Sequence, residues 1–183
     1  YLVHEKFSLP QLDDHVDMSG GAVSVGRFFT EMLDPTMNWD DVASLVEFWD
    51  GQFCLKGVMS VEDAKRAVEI GCTGIVVSNH GGRQLDGGRS SFDQLEEIVG
   101  AVGDQIDVIL DSGIQRGSHV LKALSLGAKA VGGGRFYLYA LAAAGGQGVE
   151  RALQIMHEEI ERDMRLMGVS SIQELSRDNL RFR

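Results

Sequence analysis

Proline and cysteine are scarce in this 183-residue chain, at two residues each. Both prolines, Pro10 and Pro35, fall in the first 37 residues, together with Asp13, Asp14, Asp17, Gly20 and Gly21. That zone lacks the periodicity of a helix or a strand. It reads as a loop or lid over 1–37, with a short helix near Val25–Met32. Two cysteines, Cys54 and Cys72, both in apolar runs, exclude a disulfide scaffold and fit a reduced, cytoplasmic protein. No run approaches the ~20 apolar residues of a membrane span; the longest, Tyr137–Ala144, ends in glycines. Positive charge is in deficit, with 17 Lys and Arg against 27 Asp and Glu and a net charge of −10. That argues against a general nucleic-acid binder, which must neutralise phosphates. The first residues have neither an initiator Met nor a signal-peptide build and read as a cut end.

Apolar residues are plentiful, at 44%, enough for a core without staples. From Asn38 onward the pattern is regular, and 38–183 reads as one domain. Asn38-Trp-Asp-Asp41 resembles a capped helix start, and Val42, Leu45, Val46 and Trp49 continue its apolar stripe. Strand-like runs follow at 52–58, 74–78, 108–110 and 130–134. Helices are expected between them, opening at the capping boxes Ser60–Asp63 and Ser91–Gln94 and at Ser118. A long amphipathic helix is expected over 148–167, its acidic run Glu158, Glu159, Glu161 and Asp163 forming a solvated face. Continuous apolar strands alternating with helices predict a parallel sheet buried on both faces, an α/β fold.

Each strand carries unusual residues at its carboxyl end: Lys56, then Ser78-Asn79-His80-Gly-Gly-Arg83, then Asp111-Ser112-Gly113, then Gly134-Arg135. They recur at intervals of 24, 31 and 24 residues (Lys56, His80, Asp111, Arg135). A (β/α)8 barrel spends about 31 residues per unit. An open flavodoxin-like sheet fits that pitch nearly as well. In either fold the carboxyl edge is where ligands bind. Lys56 offers a fixed positive charge. His80 offers a base near neutral pH, and Arg83 a bidentate clamp for a carboxylate. Gly113 and Gly117 flank Gln115-Arg116 before a helix whose first amides could face an anion. No histidine spacing suggests a metal site.

Leu-Lys-Gly-Val (55–58), Ser-Asn-His-Gly-Gly-Arg-Gln-Leu-Asp (78–86), Asp-Ser-Gly-Ile (111–114) and Gly-Arg (134–135) resemble the FMN-dependent 2-hydroxy-acid dehydrogenase and oxidase family. The resemblance runs from about Asn38 to the end. It implies a (β/α)8 TIM barrel of which this chain supplies the last four βα units. It implies FMN as cofactor, held by Lys56, Ser78, Asp111, Ser112, Gly113, Gln115, Gly134 and Arg135. It implies His80 as the catalytic base and Arg83 as the grip on the substrate carboxylate. The implied reaction oxidises a small, lactate-like L-2-hydroxy acid to the 2-oxo acid. Homo-oligomerisation, a tetramer in the family, comes with the same resemblance; peripheral attachment at the inner membrane face would need a surface patch, for which 8–37 is the one candidate.

Gln115 departs from the family, which often has arginine there beside the FMN phosphate. The family's N-terminal half, with its tyrosines, its further arginine and the aspartate that pairs with the histidine, has no counterpart in these residues. Four parallel strands leave open edges and an uncovered inner face, so the missing half of the barrel is an expected partner. Two alternatives stay open. One is a non-catalytic half-barrel that self-associates or binds only phosphate ligands. The other is a divergent member acting on a specialised substrate.

Overall fold

The computed structural model describes residues 27–28 and 30–181. The expected lid over 1–37 lies largely outside them. Of the short helix expected near Val25–Met32, residues 27–28 and 30–32 are helical. The chain divides into two compact units after Val42.

Helix α1 (Trp39–Trp49) opens at Asn38. The Asn38 side chain accepts from the Asp40 amide at 2.8 Å, and Asp41 accepts from the Asn38 amide at 2.8 Å. This is the reciprocal cap that the sequence suggested. Next come β1 (Cys54–Val58), α2 (Val61–Glu69), β2 (Gly74–Val77), α3 (Ser91–Val102), β3 (Asp107–Leu110), α4 (Gly117–Ser125), β4 (Ala130–Val131) and α5 (Arg135–Met167). The four strands form one sheet in the order β1-β2-β3-β4. Every pairing is parallel.

The apolar spacing explains the packing. On α3 the residues Ser91, Gln94, Leu95, Ile98 and Val102 are buried, a stripe at helical intervals. It packs on β2 and β3, while α2 packs on β1 and α4 on β4. Ile75, Val77, Val108 and Leu110 alternate along their strands and are at most 2% exposed. Burying each such side chain contributes roughly 1.5–3 kcal/mol. The residues between them, Val76 and Ile109, are only half-buried. The sheet is therefore covered by helices on one face, not on both as the continuous apolar runs suggest. Period-2 alternation was concealed because the second face is apolar too.

Helix α5 is also longer than expected. It starts at Arg135 and is broken at Ala144 and Gly145, which leave helical geometry. The run Tyr137–Ala144 is thus the first of two helices. Tyr137, Leu138, Tyr139 and Leu141 on it are exposed. Among the described residues no helix is long and apolar enough to cross a membrane.

Candidate functional site

The four strand ends converge. Lys56, His80, Gly81, Arg83, Asp111, Ser112, Gly113, Gln115, Gly134 and Arg135 line one cavity of about 280 Å³. That is near the lower end of small-molecule sites, ~300–1,000 Å³. Gln84, Ile114, Gly133, Phe136 and Leu138 complete its wall. The sequence offered no signal for Phe136 and Leu138, whose exposure depends on where α5 begins.

Lys56 is the hub. Its Nζ lies 3.2 Å from Asp111 Oδ2, donates to Ser78 Oγ at 3.0 Å and lies 3.3 Å from His80 Nδ1. Ser78 does not line the cavity. It is 1% exposed, and its hydroxyl also accepts from the His80 amide at 3.1 Å. Asp111 is pushed up by desolvation, but hydrogen bonds from Ser78, Ser112 and Lys56 and the Lys56 charge outweigh this and hold it below its ordinary range. Asp111 and Lys56 thus form a charged pair at the cavity wall.

An ammonium can only donate, so Nδ1 of His80 accepts from Lys56 and the neutral ring carries its proton on Nε2; the tautomer is assigned from this contact. Lys56 therefore governs which ring nitrogen is basic. Acceptance of a proton at Nε2 requires Lys56 to leave Nδ1 for Ser78 and Asp111, which it already touches, and the ring's own proton to move from Nε2 to Nδ1.

Gly57 is a residue the sequence reading quoted without assigning it a role. Its φ is +100°, and a Cβ there would stand 2.8 Å from His80 Nε2. The register of β1 shifts between Lys56 and Val58. This bulge sets Lys56 on one side of the imidazole and bare backbone on the other. On the far wall, the Arg135 guanidinium donates to the Gly81 carbonyl at 2.5 Å, so residues 80 and 135 share a rim. Arg83 also faces the cavity and forms no ion pair among the described residues.

Three expectations need correction. The first amide of α4 does not face an open anion site. Gly117 N donates to Glu159 Oε2 at 2.7 Å, and Arg116 binds Oε1 through Nε at 2.7 Å and Nη2 at 2.6 Å. Glu159 is correspondingly not on a solvated face but is 8% exposed. A Cβ at Gly117 would lie 2.6 Å from Glu159 Cβ, so glycine lets the two helices touch. Ser91 likewise does not cap α3; its Oγ accepts from the Asn79 amide at 3.1 Å and anchors the loop bearing His80.

The hydrogen bond from Arg116, the amide of Gly117 and the Arg116 charge together hold Glu159 below its ordinary range despite desolvation. A depressed carboxyl contributes stability that is present above its unfolded pKa, ~4.3, and lost as pH falls through the folded value. Glu159→Gln is expected to lower unfolding free energy by roughly 1.5 kcal/mol at neutral pH, the low end for charged hydrogen bonds, because Arg116 stands largely in solvent. Urea titrations from neutral to acid pH should show the difference from wild type shrinking as pH falls; a constant difference would refute the assignment.

A family model described as FMN-dependent dehydrogenase matches residues 3–182. The chain belongs to this family. It is 50% identical over 145 residues to pre-mycofactocin synthase of Mycobacterium tuberculosis, covering 79% of this chain and 37% of that protein. It is 48% identical over 148 residues to L-lactate dehydrogenase of Vibrio cholerae, covering 81% and 39%. Among solved structures, the monotopic membrane protein (S)-mandelate dehydrogenase matches with a TM-score of 0.81 and 39% identity, over 86% of this chain and 42% of that one. The chain thus spans about two fifths of the length of these curated relatives. As a family member its parallel sheet is part of a TIM barrel, with four consecutive strands present among the described residues.

Proposed function

We infer that the protein is an FMN-dependent oxidoreductase that converts a small L-2-hydroxy acid to the 2-oxo acid at the cavity between Lys56 and Arg135. The observation that carries this reading is the convergence of a base, the arginines Arg83 and Arg135 and glycine-rich turns from four successive strands on one rim. The cavity suits a flavin nucleotide. A Cβ at Gly113 or Gly134 would meet nothing within 4 Å, so backbone there is open to close approach by a phosphate. Arg135 supplies the charge, and α5 begins beside it. Arg116 and the Gly117 amide are committed to Glu159, so Gln115, Gly113, Gly134 and Arg135 are left to hold the phosphate. Asp111 and the backbone of Ser112 are assigned to the ribityl chain. Lys56, supported from below by Ser78, is assigned to the ring edge that gains negative charge.

Bound FMN supplies the two-electron acceptor. The chain's residues do the rest. Arg83 pairs with the substrate carboxylate through a charge-assisted bond. His80 takes the hydroxyl proton at Nε2 in the tautomer whose own proton sits on Nδ1, reached once Lys56 has released Nδ1 and the ring proton has moved there. Closing the barrel requires further strands at the β1 and β4 edges, and the exposed Tyr137, Leu138, Tyr139 and Leu141 give apolar surface for assembly.

The test uses the full-length protein. It is expected to purify with visible flavin absorbance, and anaerobic addition of L-lactate, glycolate or (S)-mandelate should bleach it. Absence of flavin would defeat the reading in favour of a non-catalytic half-barrel. A second reading keeps the flavin and changes the substrate, because identity to pre-mycofactocin synthase is as high as to lactate dehydrogenase. Bound flavin that none of the three acids bleaches would favour it.

A further inference from the structure

Ser112 is an L-residue in a glycine's conformation. Its φ is +73°, a region that side-chain-bearing residues seldom occupy unless the surroundings hold them there. What holds it is a set of polar contacts. Its hydroxyl donates to Asp111 Oδ1 at 2.8 Å and accepts from the Gly81 amide at 3.1 Å. Ser78 Oγ lies 3.5 Å away. A hydroxyl has a single proton. The Asp111 carboxylate can only accept, so that proton goes to Asp111 and a lone pair of Oγ must face Gly81 N–H. The polarity of the tie is therefore set by Asp111, which Lys56 keeps in place; a Cβ at Gly132 would stand 3.1 Å from the Asp111 Cβ.

The same geometry recurs on the other side of the imidazole. The His80 amide donates to Ser78 Oγ. The two amides that flank the His80 carbonyl and side chain are thus each held by a serine hydroxyl, one from β2's own end and one from the neighbouring strand's loop. His80 itself has φ +55° and Gly81 +69°, so this turn is one that would relax without such ties. Ser78 was visible as part of the strand end. The Ser112 contact joins residues 31 apart.

We propose that Ser112 is a positioning residue for His80, its hydroxyl fastening the histidine turn to the Asp111 loop through the Gly81 amide. The inference rests on the reading of His80 as proton acceptor given above. With its hydroxyl committed inward, Ser112 meets a cofactor only through backbone, which glycine preserves. Ser112→Gly removes the tie and relieves the backbone; Ser112→Ala removes the tie and keeps the backbone strained. If the hydroxyl acts as proposed, both variants lose function to a similar degree.

In the flavin-loaded, full-length protein, both variants are expected to keep FMN affinity within about threefold. The rate of anaerobic flavin reduction at saturating acid should fall about tenfold or more, since a displacement near 1 Å can cost ~100-fold. The apparent KM should change less than twofold, and the acid limb of the pH–rate profile should move. Hydrogen exchange measured by mass spectrometry on the peptide containing Gly81 should speed up. Ser112→Gly at wild-type rate, pH profile and exchange overturns the proposal, also where Ser112→Ala fails to fold. His80→Gln separates the two claims. If it leaves reduction intact, the base assignment falls and this inference with it. If it abolishes reduction while Ser112→Gly is silent, only the tie is refuted.

Discussion

Replacing His80 with glutamine is expected to leave flavin bound while slowing its anaerobic reduction by about 10²–10⁴-fold, the usual contribution of a positioned base. Glutamine spans a similar length and can hydrogen-bond, but it cannot take a proton near neutral pH. The residues assigned to the phosphate, Gly113, Gln115, Gly134 and Arg135, sit on other loops of the cavity, so binding and chemistry should separate. One control matters. His80 has φ +55°, where Asn, Asp and His are better tolerated than Gln. His80→Asn keeps that tolerance and also lacks the base. Both variants should fail alike in stopped-flow reduction. Reduction at the wild-type rate in either would remove His80 from the chemistry.

A single methyl group at Gly57 is expected to do nearly as much damage. In Gly57→Ala the new Cβ would stand 2.8 Å from His80 Nε2, closer than real contacts allow. Either the ring or the bulge must move. Positive φ adds a backbone penalty of roughly 1–2 kcal/mol. Unfolding free energy should fall by that amount, and flavin reduction by about 100-fold, because the imidazole is displaced. The double variant Gly57→Ala/His80→Gln decides how. If the alanine acts through the imidazole, it adds little to His80→Gln, and the two losses are strongly non-additive. Full additivity in reduction rate would mean that Gly57 acts elsewhere, through Lys56 or the sheet edge.

The effect predicted for Glu159 is on stability alone, whereas those for His80 and Gly57 include a large loss of rate, and the fold explains the division. Glu159 joins α5 to the start of α4, among residues that do not line the cavity. Gly57, Lys56, Ser78 and Ser112 surround His80 itself. Losing the first loosens two helices. Losing any of the second group moves a ring whose position within an ångström sets the rate.

By itself the sequence determined the parallel α/β architecture and the edge on which the site lies. Four apolar runs separated by capped helices leave few alternatives, and residues such as Lys56, His80, Asp111 and Arg135 at strand ends are visible because periodicity is local. Choosing the barrel over an open sheet needed the family's motifs, since pitch serves both. Only the tertiary structure decided which groups are spent and which remain free. Arg116 was indistinguishable from a phosphate ligand until Glu159, 43 residues away, was found on it. Glu159 read as one more surface acid because its neighbours in the helix are exposed. The seat of the imidazole on Gly57 and the Ser112 tie to Gly81 bridge 23 and 31 positions. Such contacts depend on how strands lie beside one another, and a linear pattern carries periodicity but no distances between elements.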